Sequence, residues 1–218
     1  MKIEEFDINK VYFSSNKMYN DLIRVSIFYE GQEEFIIQTP HNMTSFGLEE
    51  KISEKNLLIG YQLPILLWSK FGIRKEEELF ISVINQVTEK ARQYLRREFE
   101  LNQEQLTRLN PIYCKTPTTS FSHHTKSPML FLKCEYDKTK NEIQSKFVNE
   151  VDRKEVNPLM CLHKKMNTTV SIKIDNILIS SSKINIQLKL RECHFKLPML
   201  KRTSLLCPLV DLMKIEKV

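Results

Sequence analysis

Residues 169–195 read TVSIKIDNILISSSKINIQLKLRECHF, and this stretch decides the fold class. Thr169 to Ile179 and Ile184 to Phe195 are two alternating apolar–polar runs, separated by Ser180-Ser181-Ser182-Lys183. Period-two alternation marks half-buried strands, and a short polar break between two such runs marks a hairpin. In the second arm Ile184, Ile186, Leu188 and Leu190 share the inward face. Asn185, Gln187, Lys189 and Arg191 share the outward one, because successive side chains of a strand point to opposite sides.

The same pattern extends toward the N-terminus. Met129 to Tyr136 predicts a strand, Asp137 to Asn141 a polar turn, and Glu142 to Asn149 the returning strand. Asn157 can cap a helix that begins at Pro158, with Leu159, Leu162 and Met166 on its apolar side. Strand, strand, helix, strand, strand is the order of a small OB-type Greek-key barrel, which has one further strand. Ile59 to Trp68 can supply it, with Pro64 marking an edge or a bulge, as can an N-terminal hairpin. That hairpin is read from Leu22 to Tyr29, a turn at Glu30-Gly31-Gln32, and a return over Glu34 to Thr39. In its first arm Ile23, Val25, Ile27 and Tyr29 share a face, and Lys10 to Ser14 adds an earlier strand.

Three other segments differ in kind. Pro40 to Asn56, with Phe46-Gly47, reads as a loop. Glu76 to Glu100 is a helix: Leu79, Phe80, Val83, Ile84, Val87, Ala91, Tyr94 and Leu95 form one stripe at helical spacing. Its polar face carries Glu89, Lys90, Arg92, Arg96 and Arg97, and Gln103 to Leu109 continues it after a break near Asn102. Asn110 to Pro128 holds Pro111, Pro117 and Pro128, many Ser and Thr residues and no periodicity, and reads as a mobile loop. The expected class is α+β, mostly antiparallel: an OB-like Greek-key barrel elaborated by an N-terminal hairpin and a long amphipathic helix. Residues 1–195 form one β-rich domain with the mobile loop at 110–128. Residues 196–218 form a C-terminal tail, packing on the domain or on a neighbouring subunit.

Of the 218 residues, 41% are hydrophobic and 28% charged, so the chain is not disordered as a whole. Met1 to Lys10 is acidic and lacks the apolar core of a secretory signal. Leu63 to Trp68 is far too short to cross a bilayer, which takes about 20 residues. An intracellular protein without a membrane partner is expected. Cys114, Cys134, Cys161, Cys193 and Cys207 are odd in number, with none at C-x-x-C spacing. Cys134 and Cys193 fall in apolar strand patterns and read as buried free thiols of a reducing compartment.

Enzyme machinery is not evident. Gly31, Gly47, Gly60 and Gly72 are too far apart for a phosphate-cradling loop. Neither H-E-x-x-H nor G-x-S-x-G occurs. Cys193-His194 cannot easily share a metal ion, since neighbours on a strand face opposite ways. His123-His124 has no cysteine or carboxylate at ligand spacing. Asp137, Glu142 and Asp175 are the carboxylates nearest regular strands, and the first two flank a turn where polar residues are common. No catalytic residue, metal or cofactor is assigned.

The formal charge is +6, with pI about 9.0, and from Lys183 to Val218 there are eight basic and three acidic residues. A basic surface leans toward a polyanion. Single-strand binders combine cations along a groove with aromatic faces for stacking. Arg24 with Phe28, and Phe131 with Lys133, share outward faces, as do Lys146, Lys189 and Arg191 on neighbouring strands. Tyr113, Lys115, Phe121, His123, His124 and Lys126 mark the long loop, which could close over a strand. A one-residue register error would turn Phe28 and Phe131 into core.

Two stretches carry a family resemblance. One is Phe35-Ile36-Ile37-Gln38-Thr39-Pro40 with Met43 and Phe46-Gly47. The other runs from Ser127-Pro128 through Lys138-Thr139-Lys140 and Asn157-Pro158-Leu159 to the Val170–Phe195 hairpin. Together they resemble the single-stranded-DNA-binding proteins of large cytoplasmic DNA viruses, of the African swine fever virus type. The resemblance implies an OB-like fold, sequence-independent binding of single strands in replication or repair, and location in the host cytoplasm. It implies no individual DNA contact. The expected partner is single-stranded DNA, with RNA left open. A structural or assembly protein that oligomerises through its tail is the alternative. A nuclease using Asp137 or Glu142 is a third reading.

Overall fold

The computed structural model describes residues 1–14, 17–19, 22–68, 72–113, 128–180 and 183–198. The first strands are β1 (Val11–Phe13), β2 (Lys17–Tyr19), β3 (Leu22–Tyr29), β4 (Ile36–Gln38), β5 (Met43–Ser45), β6 (Glu49–Ile52) and β7 (Leu58–Leu66). Two helices follow, α1 (Lys75–Phe99) and α2 (Gln103–Thr107). Then come β8 (Ile112–Tyr113), β9 (Met129–Cys134), β10 (Tyr136–Asp137), β11 (Glu142–Ile143), β12 (Lys146–Asn149) and β13 (Lys154–Glu155). β14 (Met166–Ile179) and β15 (Ile184–Lys196) follow and form the long hairpin expected from residues 169–195. The class is mixed α and β with mostly antiparallel strands and one long helix.

Strand pairing closes a ring. β5 pairs β7, β7 pairs β9, β9 pairs β15, β15 pairs β14, and β14 pairs β5. Only the β9–β15 step is parallel. Inward-facing Met43, Leu63, Ile65, Leu130, Leu132, Ile172, Ile174, Leu188 and Leu190 are all buried in one contiguous apolar core. Burial of this kind stabilises by roughly 1.5–3 kcal/mol per large side chain.

β14 is the organising strand. One of its edges runs along β15, and the other is shared by three short strands in succession. β3 takes Asn176–Ile179, β4 takes residues 171–173, and β5 takes residues 166–168. The N-terminal hairpin expected between Leu22–Tyr29 and Glu34–Thr39 is therefore corrected: β4 pairs with β14, and β3 pairs with β1 and β2. The cause is Phe35, buried and ring-stacked on Phe6 and Tyr29, which carries the chain across the core instead of back along β3.

The expected 40–56 loop also contains structure. β5 and β6 are too short to show periodicity, and between them the chain passes very close to the segment Cys161–Lys164. A Cβ on Gly47 would lie 2.4 Å from Lys164 N and 2.5 Å from Cys161 O, and its φ is +94°. Leu48 N–H donates to Cys161 O (3.0 Å), and His163 N–H donates to Leu48 O (3.0 Å). With its carbonyl taken this way, the helix expected from Pro158 stops after one 3-10 turn, Pro158–Cys161, and Met166 already belongs to β14. Pro64 is not on an edge. It falls where the neighbour of β7 changes from β5 to β6, a gap in the ladder that needs no N–H. The Glu142–Asn149 return is split: β11 pairs β10, whereas β12 runs parallel to β15.

α1 matches its stripe. Phe80, Val83, Ile84, Val87, Ala91 and Leu95 are buried and Tyr94 packs at the margin, whereas Leu79 is exposed. Glu77 accepts from Arg74 N–H (2.8 Å) at the helix start, where Glu76 and Glu78 also suit the positive end of the dipole. Arg92 donates to Leu106 O and Leu109 O and so ties α2 to α1. Cys134, Cys161 and Cys193 are buried free thiols, and burial pushes Cys134 up to about 12 and Cys161 to about 11. No helix among the described residues is long and apolar enough to cross a membrane.

Candidate nucleic-acid interface

The outer face of the ring carries a cross-strand row of lysines. Lys173 of β14 is opposite Lys189 of β15, and Lys189 is opposite Lys133 of β9. Lys133 is in turn opposite Gln62 of β7. Like charges directly opposed on a sheet repel, so this row requires compensation.

Two bulges supply it. Register shifts in the β14–β15 pairing leave Asp175 and Arg191 as extra residues, and a bulge re-aims the side chain it carries. Asp175 accepts ion pairs from Lys189 (2.8 Å), Lys173 (3.2 Å) and Arg24 (3.2 Å). Burial raises its carboxyl, but the bonds and charges of Lys189 and Lys173 outweigh that and hold it below the ordinary value. Asn176 donates to the same carboxylate at 2.5 Å, and its own buried Oδ1 has no hydrogen-bond partner among the described residues. Arg191 bonds Glu34 and, at 2.8 Å, Glu135, while Lys173 also reaches Glu34 (2.9 Å). Bonds from Arg191 and then Lys173 bring the Glu34 carboxyl down to about 2.

Lys133 has no such partner. Among the described residues it makes no ion pair, and burial together with the positive charges of Lys51, Lys189 and Lys138 lowers its pKa. Phe131 follows on the same face of β9, half-buried, with Tyr113 of β8 edge-on to it at 5.7 Å between ring centres. Tyr113 is 48% exposed. On β3, Phe28 is half-buried on the face of Arg24 and stacks on Tyr12 at 5.3 Å.

Of the residues proposed from sequence, the structure brings Arg24, Tyr113, Phe131, Lys133, Lys189 and Arg191 onto one band. Arg24, Lys189 and Arg191 each pair with a carboxylate there. Phe28 lies apart from them with Tyr12. Lys146 sits opposite Glu192, on the far side of the Arg191 bulge from the lysine row. Lys115, Phe121, His123, His124 and Lys126 lie outside the described residues, as does most of the loop expected at 110–128. Of that loop, Ile112 and Tyr113 form a short strand on β9. Lys173, Glu34 and Gln62 were missed. Ile174-Asp175-Asn176-Ile177 and Leu190-Arg191-Glu192-Cys193 break the two-residue period, and that break is the signal of the bulges that align the row.

The remaining chemistry-bearing residues read as structure. Asp137 accepts from Thr139 N–H, Thr139 Oγ1 and Lys140 N–H, a polar turn whose bonds lower its pKa. Glu142 faces it across the β10–β11 pair. Cys193 is in the core, and the His194 ring lies 3.2 Å from Glu192. No group of three or more metal-ligating side chains converges among the described residues.

A family described as "Protein of unknown function (DUF2738)" matches residues 6–218. The chain belongs to this family. No curated protein matches the DUF2738 chain. Its membership spans the ring, the lysine row and α1 together, so all of them lie within the matched residues.

Proposed function

We propose that this chain binds single-stranded DNA without sequence preference, in replication or repair, on the outer face of the strand ring. The observation that carries the reading is the Lys173–Lys189–Lys133 row, with Phe131 and Tyr113 beside its one uncompensated member. A strand's phosphates can replace carboxylates as partners of the row, and bases can stack on the neighbouring rings. The ring order supports an OB-type barrel: taken as β5, β7, β9, β14 and β15, its third and fifth members are the parallel pair. That fold uses its sheet face to bind oligonucleotides. The resemblance to the viral single-strand binders points the same way and to the host cytoplasm as the place of action.

Fluorescence anisotropy of labelled oligo-dT at low and at physiological salt tests this. Binding is expected to weaken steeply with salt, because each neutralised phosphate releases counterions. Absence of binding at low salt removes the proposal.

Assembly is the second reading, favoured by one observation. Lys196 pairs with Glu150 (2.9 Å), and each is followed in sequence by an exposed apolar residue, Leu197 and Val151. Sedimentation of the full chain against one ending at Lys196 separates the two readings. A mass that falls on truncation, without DNA affinity in either, favours assembly.

A further inference from the structure

A second aromatic and basic surface lies off the ring, between the edge strand β1 and the helix α1. Val11, Tyr12, Phe13, Lys90, Gln93, Tyr94 and Arg97 line an open cleft of about 470 Å³ there. None of these residues belongs to the lysine row.

Tyr12 is 50% exposed, and one face of its ring is already stacked on Phe28. Phe13 stacks on Tyr94 at 4.7 Å, and Arg97 lies over the Tyr94 ring at 5.9 Å. The Arg97 side chain is 75% exposed, with Glu98 as its only ion-pair partner among the described residues. Gln93 is exposed, and its amide both donates and accepts. Lys90 is committed to Ile8 O at 2.7 Å and Asn9 O at 3.4 Å, so it anchors the wall instead of offering a free charge.

A single ring stack, Tyr12 on Phe28, joins the cavity to the outer face of β3. Arg24 and Phe28 share the outer face of β3; Phe28 stacks on Tyr12; Tyr12 lines the cavity. We propose that this cleft holds one nucleotide of a single strand that runs off the ring: its base against Tyr12 and within reach of the Gln93 amide, its phosphate against Arg97. A stacking ring, a two-way amide and an exposed guanidinium are the three groups a nucleotide uses, and a purely apolar ligand would use only the first. The proposal rests on the single-strand reading above and lengthens its path.

Anisotropy titrations of the full chain with oligo-dT, across a salt series, test it in Tyr12→Ala, Tyr12→Phe and Arg97→Ala. Loss of the stacking ring is expected to weaken binding about five- to fifty-fold, with Tyr12→Phe close to wild type. Arg97→Ala is expected to make the slope of log affinity against log salt shallower by about 0.7, the value for one phosphate contact on a single strand. Thermal melts check that each variant is folded, and exposed Arg97 keeps the test valid if Tyr12→Ala is not. Wild-type binding with a folded Tyr12→Ala within twofold and an unchanged Arg97→Ala slope overturns the cleft and leaves the ring reading standing. Failure of the wild type to bind overturns both.

Discussion

Glu34 and Asp175 show how this surface tolerates a row of opposed lysines. Each carboxylate is shared by at least two cations, and each has its pKa lowered by them. The consequence for pH is directional. Glu34 ionises near 4.5 in an unfolded chain and at about 2 in the folded one, so it stabilises the fold fully above 4.5. That contribution is lost as pH falls through 4.5 toward 2. Glu34→Gln is expected to lower unfolding free energy by about 1–2 kcal/mol at neutral pH, after allowance for solvent screening. The gap between wild type and variant should close between pH 4.5 and 2, as read by urea unfolding at each pH. A constant gap across that range would mean that the Arg191 and Lys173 bonds do not set the Glu34 titration.

At the scale of elements, the hairpin and the long helix were legible because each is long enough for its period to repeat. β14, β15 and α1 lie within a few residues of their expected bounds. Partners were not legible. Periodicity reports which face of a strand is buried and nothing about which strand lies alongside, so the β3–β4 hairpin was a natural misreading of a turn at Gly31. β5 and β6, of three and four residues, are below the length at which a period shows. The site was legible only in part for the same reason. Lys133 and Lys189 were found from their faces, whereas Lys173 needed the bulge at Asp175 to come opposite Lys189. Gly47 marks a second long-range constraint that composition hides. Gly47→Ala would combine a left-handed φ with contacts under 3 Å to the Cys161–Lys164 backbone. It is expected to cost about 2–4 kcal/mol, read as a fall in Tm. A Tm unchanged within error would show that the Leu48–Cys161 junction can open at no cost.

For the whole molecule, the ring, its outer band and the α1 cleft divide the labour. The ring buries its apolar residues inward and so fixes the register that aligns Lys173, Lys189 and Lys133 outward. Most cations of the band are held by carboxylates, which keeps the unbound surface from repelling itself. Lys133 is the exception, and its lowered pKa records crowding by Lys51, Lys189 and Lys138 after the effect of burial. An arriving phosphate would relieve that crowding at Lys133. The direct measurement is oligo-dT affinity of folded Lys133→Ala against wild type across a salt series. Strand binding through Lys133 predicts weaker affinity at every length of strand tested and a salt slope shallower by about 0.7, the value for one phosphate contact on a single strand. Equal affinity and equal slope in the two proteins would contradict it.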